Sequence, residues 1–216
     1  MRNAVAMTEI PMFPLGSALL PGEHLPLRIF EPRYREMLQD CIDSGDMRFG
    51  VVLIERGSEV GGGDTRADVG TIAEVVEHQR ARNGTWALLC RGVERIRIDD
   101  WLDDAPYPRA QVSSWSDAPV TAEAWDTWLG KLEDKSSGLI SFLSDIAEET
   151  KQNLPLPSLP RADLPETEYT YATASFMPIT QADRHRALCA ADPISRAKVL
   201  IEAIDDARSA LQFQLR

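Results

Sequence analysis

IPMFPLGSALLPGEHLPLRIFEPRYREML, residues 10–38, is the stretch whose reading decides the fold. Its first part sets short apolar pieces (Met12, Phe13, Leu15, Leu19, Leu20, Leu25, Leu27, Ile29, Phe30) between Pro11, Pro14, Pro21, Pro26 and the turn pair Gly16-Ser17. Four prolines remove four backbone donors, so neither a continuous helix nor a central strand crosses this region, whereas edge strands and bulges tolerate them. From Glu31 the period changes. Pro32 suits a first helical turn, Tyr34, Met37, Leu38, Cys41 and Ile42 recur at helical spacing, and Gly45 offers a stop. The stretch reads as irregular strand, strand, then one amphipathic helix. Met12, Phe13, Leu15, Leu20, Phe30, Tyr34 and Leu38 are expected in the core, and the polar phrase Arg28, Glu31 and Arg33 is the candidate binding surface.

Outward from that stretch, Phe49 to Ile54 is a compact apolar run suited to a strand buried on both faces. Ser58 to Asp68 is polar and glycine-rich, a surface connection; its glycines do not make a phosphate loop, because Asp64 stands where the phosphate-binding lysine belongs. Val69 to His78 and Trp86 to Cys90 are expected to form an antiparallel hairpin around Asn83-Gly84. Val93 to Asp99 alternates apolar and charged residues, so one face should be wet, and Arg109 to Trp115 is a last short strand before a boundary at Ser116 to Pro119.

Beyond the boundary the period is helical. Trp125, Trp128, Leu129 and Leu132 form one stripe after Thr121, and Leu139, Phe142, Leu143 and Ile146 form another after Ser136-Ser137-Gly138, giving two helices or one kinked helix. Residues 154–165 hold four prolines and read as an extended connection. Asp163 and Glu166 resemble a capping pair for a helix burying Tyr169, Ala172 and Phe176. Thr180 with Asp183 opens a short helix, and Asp192-Pro193 opens the last one, with Ala197, Leu200, Ile201, Ile204, Ala207 and Leu211 inward.

Composition narrows the function classes. The 216 residues carry a net charge of −11 and 44% apolar content, enough for a real core. Both parts are acidic, with 13 basic and 19 acidic residues up to Asp117 and 10 and 15 after it, which argues against nucleic acid and anionic lipid as partners. The one dense basic cluster, Arg91, Arg95 and Arg97, is matched by Glu94, Asp99, Asp100, Asp103 and Asp104. Cys41, Cys90 and Cys189 are too far apart for metal-type spacing and suit a reducing compartment. The amino terminus lacks an apolar signal core and no window approaches a membrane-spanning run, so the expected location is cytoplasmic.

A family resemblance rests on FPLGSALLPGEHLPLRIFEPRYREML (13–38), FGVVLIE (49–55), VGTIAEVVEH (69–78), WALLCRGVERIRID (86–99) and FMPIT (176–180). In order and spacing these resemble the substrate-binding domain of Lon proteases, above all its stand-alone bacterial version, and the Lon-like domain of cereblon. The resemblance implies an α+β fold: a mostly antiparallel, PUA-like, partly open β-barrel with one helix over residues 8–117, in which 86–99 is a strand pair around a glycine turn. A helical subdomain over 118–216 follows. It also implies recognition of unfolded or degron-bearing proteins.

Catalysis finds little support. The chain shows no Walker lysine and no motif matching the serine-lysine dyad of full-length Lon, and it lacks the paired cysteines of cereblon's zinc part. His24, His78 and His185 are the only histidines, and none has a partner at metal-binding helical spacing. No catalytic, cofactor-binding or metal-binding residue is assigned. The expectation is a non-enzymatic protein- or peptide-binding module, with a role as an adaptor in protein quality control. Two alternatives are an RNA-binding PUA-like module using Arg91, Arg95 and Arg97, and a small hydrolase using His24 or His78. Nothing in the sequence signals an oligomeric state.

Overall fold

A computed structural model describes residues 7–57, 65–151, 153 and 155–214. The chain divides into two compact units between Ser116 and Asp117. In the first, β1 (Thr8–Leu15), β2 (His24–Ile29), α1 (Pro32–Ser44), β3 (Arg48–Arg56), β4 (Thr65–Arg80), β5 (Trp86–Trp101) and β6 (Arg109–Ser114) follow in chain order. The six strands make one mixed sheet, ordered β2-β5-β4-β3-β1-β6, in which β5 also pairs with β6. Strands β5, β4, β3, β1 and β6 therefore close into a ring, and β2 lies outside it on β5. Only β1 and β3 run parallel.

The prolines of the opening stretch find their place in this topology. Strand β1 pairs with β6 over Thr8 to Pro11 and with β3 over Met12 to Leu15, so each half has one ladder and the missing donors of Pro11 and Pro14 are tolerated. Pro26 sits on β2, whose only partner is β5. Side chains alternate along a strand, and in β1 both faces are covered. Phe13 packs against Tyr34 and Phe49, with ring centroids 4.3 and 5.9 Å apart, in the cluster that α1 closes with Met37 and Leu38. Met12 joins Val52, Ile72, Ile96, Ala110 and Val112. Helix α1 starts at Pro32 and ends on Gly45, whose φ of 74° lets its N–H return to the Ile42 carbonyl.

Three expectations are corrected in this unit. Phe30 is exposed rather than in the core. Trp86 to Asp99 is one continuous strand without a turn at Gly92. There the backbone of the loop before β2 docks: Gly22 donates to the Gly92 carbonyl and Gly92 donates to the Glu23 carbonyl, both at 2.8 Å, and a Cβ on Gly92 would collide with the Leu20 carbonyl. A missing side chain was needed for close approach, not for a turn. Thr65 to Asp68 belongs to β4, because it continues the ladder against Ile54 and Arg56; the rest of the glycine-rich connection, 58–64, lies outside the described residues. The hairpin at Asn83-Gly84 forms, with the Gly84 N–H on the Ala81 carbonyl and the Thr85 N–H on Asn83 Oδ1.

The second unit holds α2 (Ala122–Thr150), α3 (Glu166–Phe176), α4 (Gln181–Leu188) and α5 (Pro193–Gln214). Helix α2 runs unbroken through Gly138. A helical glycine costs about 1 kcal/mol, but Trp125, Leu132, Ser136 and Leu139 form one buried stripe across it. Asp163 does not cap α3: Pro165 occupies the cap position and Asp163 pairs with Arg161 at 2.6 Å. Phe176 is exposed, since α3 buries Tyr169, Thr170, Tyr171, Thr173 and Ala174, and the hydroxyls of Thr170 and Thr173 are satisfied by carbonyls of the preceding turn. Thr180 caps α4 through the Asp183 N–H, and Asp192 receives the Ser195 N–H at the start of α5. Along α5, Ala197, Leu200 and Ile204 are buried, while Ile201, Ala207 and Leu211 are half-buried.

Candidate functional site

Strand β2 explains where the opening stretch meets solvent. Leu25, Leu27 and Ile29 turn toward the apolar cluster, which leaves His24, Pro26 and Arg28 on the outer face. Phe30 continues the outward series and is 59% exposed. A shallow hollow of about 190 Å³ lies beside it, walled by Pro26, Leu27, Tyr34 and Phe30 itself, with Arg28 and Glu31 at its border. Arg28 stands opposite Ala87 of β5 and also borders a second hollow, about 400 Å³, with Gln79, Thr85 and Trp86. An exposed aromatic ring and an exposed guanidinium thus share one continuous surface.

The three candidate residues separate into two kinds. Arg28 faces solvent. Glu31, at the cap position of α1, instead accepts from Arg33 Nε at 3.1 Å, and the Arg33 guanidinium lies 4.5 Å from the Tyr34 ring centroid. Both are half-buried, so their charges organise the strand-to-helix corner. Phe30 was missed as a site residue, although the signal was present: the alternation Leu25, Leu27, Ile29 puts the next residue outside.

The other sequence candidates are absorbed into the structure. Arg95 is 4% exposed; its Nε donates to the Trp115 carbonyl at 2.9 Å, and its guanidinium lies 4.0 Å from the Trp115 ring centroid. Arg97 lies 3.7 Å from the same ring, and Arg91 pairs with Glu74 at 3.3 Å. Arg95 and Arg97 thus anchor Trp115 and Arg91 is matched by Glu74, so the cluster forms no open basic face. Among the described residues His24 and His78 make no hydrogen bond to a serine, threonine or cysteine, and His78 packs on Trp86 at 5.7 Å. His185 Nε2 lies 3.6 Å from Cys189 Sγ at the carboxy-terminal end of α4. Burial pushes the Cys41 thiol up to about 11, helped by Asp46 and Asp40, and burial alone pushes Cys90 up to about 12, so both stay neutral and poorly nucleophilic near pH 7. Among the described residues no group of three or more His, Cys, Asp or Glu could hold a metal ion, and no helix is long and apolar enough to cross a membrane.

The comparisons give the family: residues 9–206 match the ATP-dependent protease La (LON) substrate-binding domain, and the chain belongs to that family. Lon protease 2 of Myxococcus xanthus is 26% identical over 212 residues, which cover 94% of this chain and 24% of that protease. The chain thus spans about a quarter of the length of this relative. Cereblon of Danio rerio is 23% identical over 249 residues, 93% of this chain and 56% of cereblon. The solved Lon N-terminal domain protein of Xanthomonas campestris superposes with a TM-score of 0.61 at 25% identity, covering 90% of this chain and 98% of that one. The N-terminal domain of Lon protease from the Mycobacterium avium complex gives 0.62 at 18% identity, covering 92% and 99%.

Proposed function

We propose that this chain is a non-enzymatic recognition module that binds unfolded or degron-bearing protein segments through the surface at Phe30 and Arg28, with Glu31 and Arg33 setting the corner between β2 and α1. The observation that carries the reading is a large aromatic side chain left in solvent directly after an edge strand of a substrate-binding-domain fold. Exposed apolar surface beside a guanidinium suits an extended, partly apolar chain. In this proposal residues 8–117 and 118–216 are separate domains, joined functionally as an adaptor for a protease encoded elsewhere, in the cytoplasm. The pairing of β5 with both β4 and β6 supports reading the ring as a PUA-like, partly open barrel. RNA binding gains nothing from the arginines spent on Trp115.

The test is retention of a reduced, alkylated, permanently unfolded client on the immobilised chain against the same client in its folded form. The unfolded client is retained, and Phe30→Ala and Arg28→Ala lower that retention without moving the melting temperature. Equal retention of the two forms, or retention indifferent to both substitutions, overturns the proposal.

A further inference from the structure

At the other ends of β1 and α1 the ring strands border a half-open cavity of about 500 Å³, within the range of small-ligand pockets. All five ring strands line it, together with the last turns of α1. Its lining separates by exposure. The buried part is apolar: Phe49, Ile72, Ile96 and Val112, with Cys41 and Tyr107. The exposed part carries four carboxylates, Glu9, Asp40, Asp46 and Glu94, against one guanidinium, Arg48.

The charge does not cancel locally. Arg48 is held by Asp46 at 2.7 and 3.1 Å, and Glu9 is held by Arg109 at 2.9 Å. Asp40 accepts from the neutral Tyr107 hydroxyl at 2.7 Å, and neither Asp40 nor Glu94 has an ion-pair partner within 4 Å among the described residues. The buried hydroxyl and thiol register the same sign. Beyond the effect of burial, Asp40 raises the Tyr107 hydroxyl against a smaller opposing pull from Arg109, and Asp46 and Asp40 raise the Cys41 thiol. Carboxylates at the edge of an apolar cavity attract a cation more strongly than they would in open water.

We infer that this end of the ring is a second binding site, one that takes a large apolar side chain carried beside a lysine or arginine in an extended peptide. The apolar chain fills the floor between Phe49, Ile72 and Ile96, while the cationic neighbour reaches Glu94 and Asp40 at the rim. An acidic peptide meets the uncompensated carboxylates of Glu94 and Asp40 instead and is turned away. This rests on the reading that the chain binds peptides, but it places a charge-selective site apart from Phe30 and names the sequence chemistry it selects.

The experiment titrates the full chain into three short labelled peptides and reads fluorescence anisotropy: one with Leu-Lys pairs, one with each Lys replaced by Glu, and one with each Leu replaced by Ser. The Leu-Lys peptide binds about tenfold or more tightly than either control, as one well-placed charge contact allows, and the preference shrinks at high salt. Glu94 is exposed, so Glu94→Lys leaves the fold intact and lowers affinity for the Leu-Lys peptide, Glu94→Gln lowers it less, and Ser114→Trp plugs the mouth and lowers it at any salt. Peptides that bind equally, or binding indifferent to both Glu94→Lys and Ser114→Trp, overturn the site even while unfolded clients are still retained at Phe30. If neither client nor peptide binds, both readings fall together.

Discussion

The two compact units are held by different physics. The first unit packs Phe13 between Tyr34 and Phe49 in an apolar cluster closed by α1, with the buried Thr71 and Arg95 outside that cluster. The second is organised around a charge: Arg196, on α5, is fully buried, grips Asp117 with two nitrogens at 2.7 and 2.9 Å, donates to Thr170, Tyr171 and the Ala187 carbonyl, and stacks 3.8 Å from the Tyr171 ring centroid. Asp117 also accepts from Thr167. One residue at the start of the unit is thereby tied to α3 and α5. An apolar interior tolerates changes of shape by degrees, whereas a buried ion pair tolerates losing both partners better than losing one.

That difference sets the size and character of the expected effects. Asp117→Ala leaves the Arg196 charge buried without its counter-ion and costs about 3–5 kcal/mol, read by urea denaturation. The double variant Asp117→Leu with Arg196→Met costs less than the sum of the two single changes, a stronger coupling than the apolar interior shows. Phe49→Ala in the first unit costs about 3–5 kcal/mol as well, by loss of burial plus a cavity. Its partner change Phe13→Ala adds to it or couples only weakly. If the two pairs gave equal coupling energies, the contrast between the units would be wrong.

Smaller effects sharpen the same contrast. Burial by itself would raise the Asp192 carboxyl, but hydrogen bonds from the Ser195 hydroxyl and N–H and the Ile194 N–H outweigh it and hold the group below its ordinary value of 3.8. Its folded value is thus depressed, so its contribution is present above pH 3.8 and disappears as pH falls through the folded value. Asp192→Ala removes the cap of α5 at about 1 kcal/mol, and Asp192→Asn flattens the acid limb of the stability curve measured by circular dichroism. Phe30→Ala changes stability by no more than about 0.5 kcal/mol, because its ring already lies in water. A thermal shift as large as that of Phe49→Ala would return Phe30 to the core and remove the proposed recognition surface.

Of the three surface candidates only the exposure of Arg28 was legible, since Glu31 and Arg33 are half-buried at the strand-to-helix corner. Arg28 was read as surface and is surface. Phe30 was read by composition, as one more aromatic in an apolar stretch, when its position in the alternation of β2 put it outside. Arg95 and Arg97 were read by charge, and their partner, Trp115, lies on the other side of a chain reversal. The cavity could not be read at all, since its lining comes from five strands and a helix. Gly92 was read as a turn because a glycine signals conformational freedom and close approach with the same letter.

Taken alone, the sequence determined the order of elements, the start and stop of α1, the hairpin at Asn83-Gly84 and the family, because proline, glycine and apolar period act over a few neighbouring residues. Only the tertiary structure decided that β1 changes partners halfway, that Phe13 is enclosed while Phe30 is not, and that Arg196 is buried. The reason is that burial depends on what covers a residue. For Arg196 the counter-ion that makes burial tolerable stands 79 positions away, at Asp117.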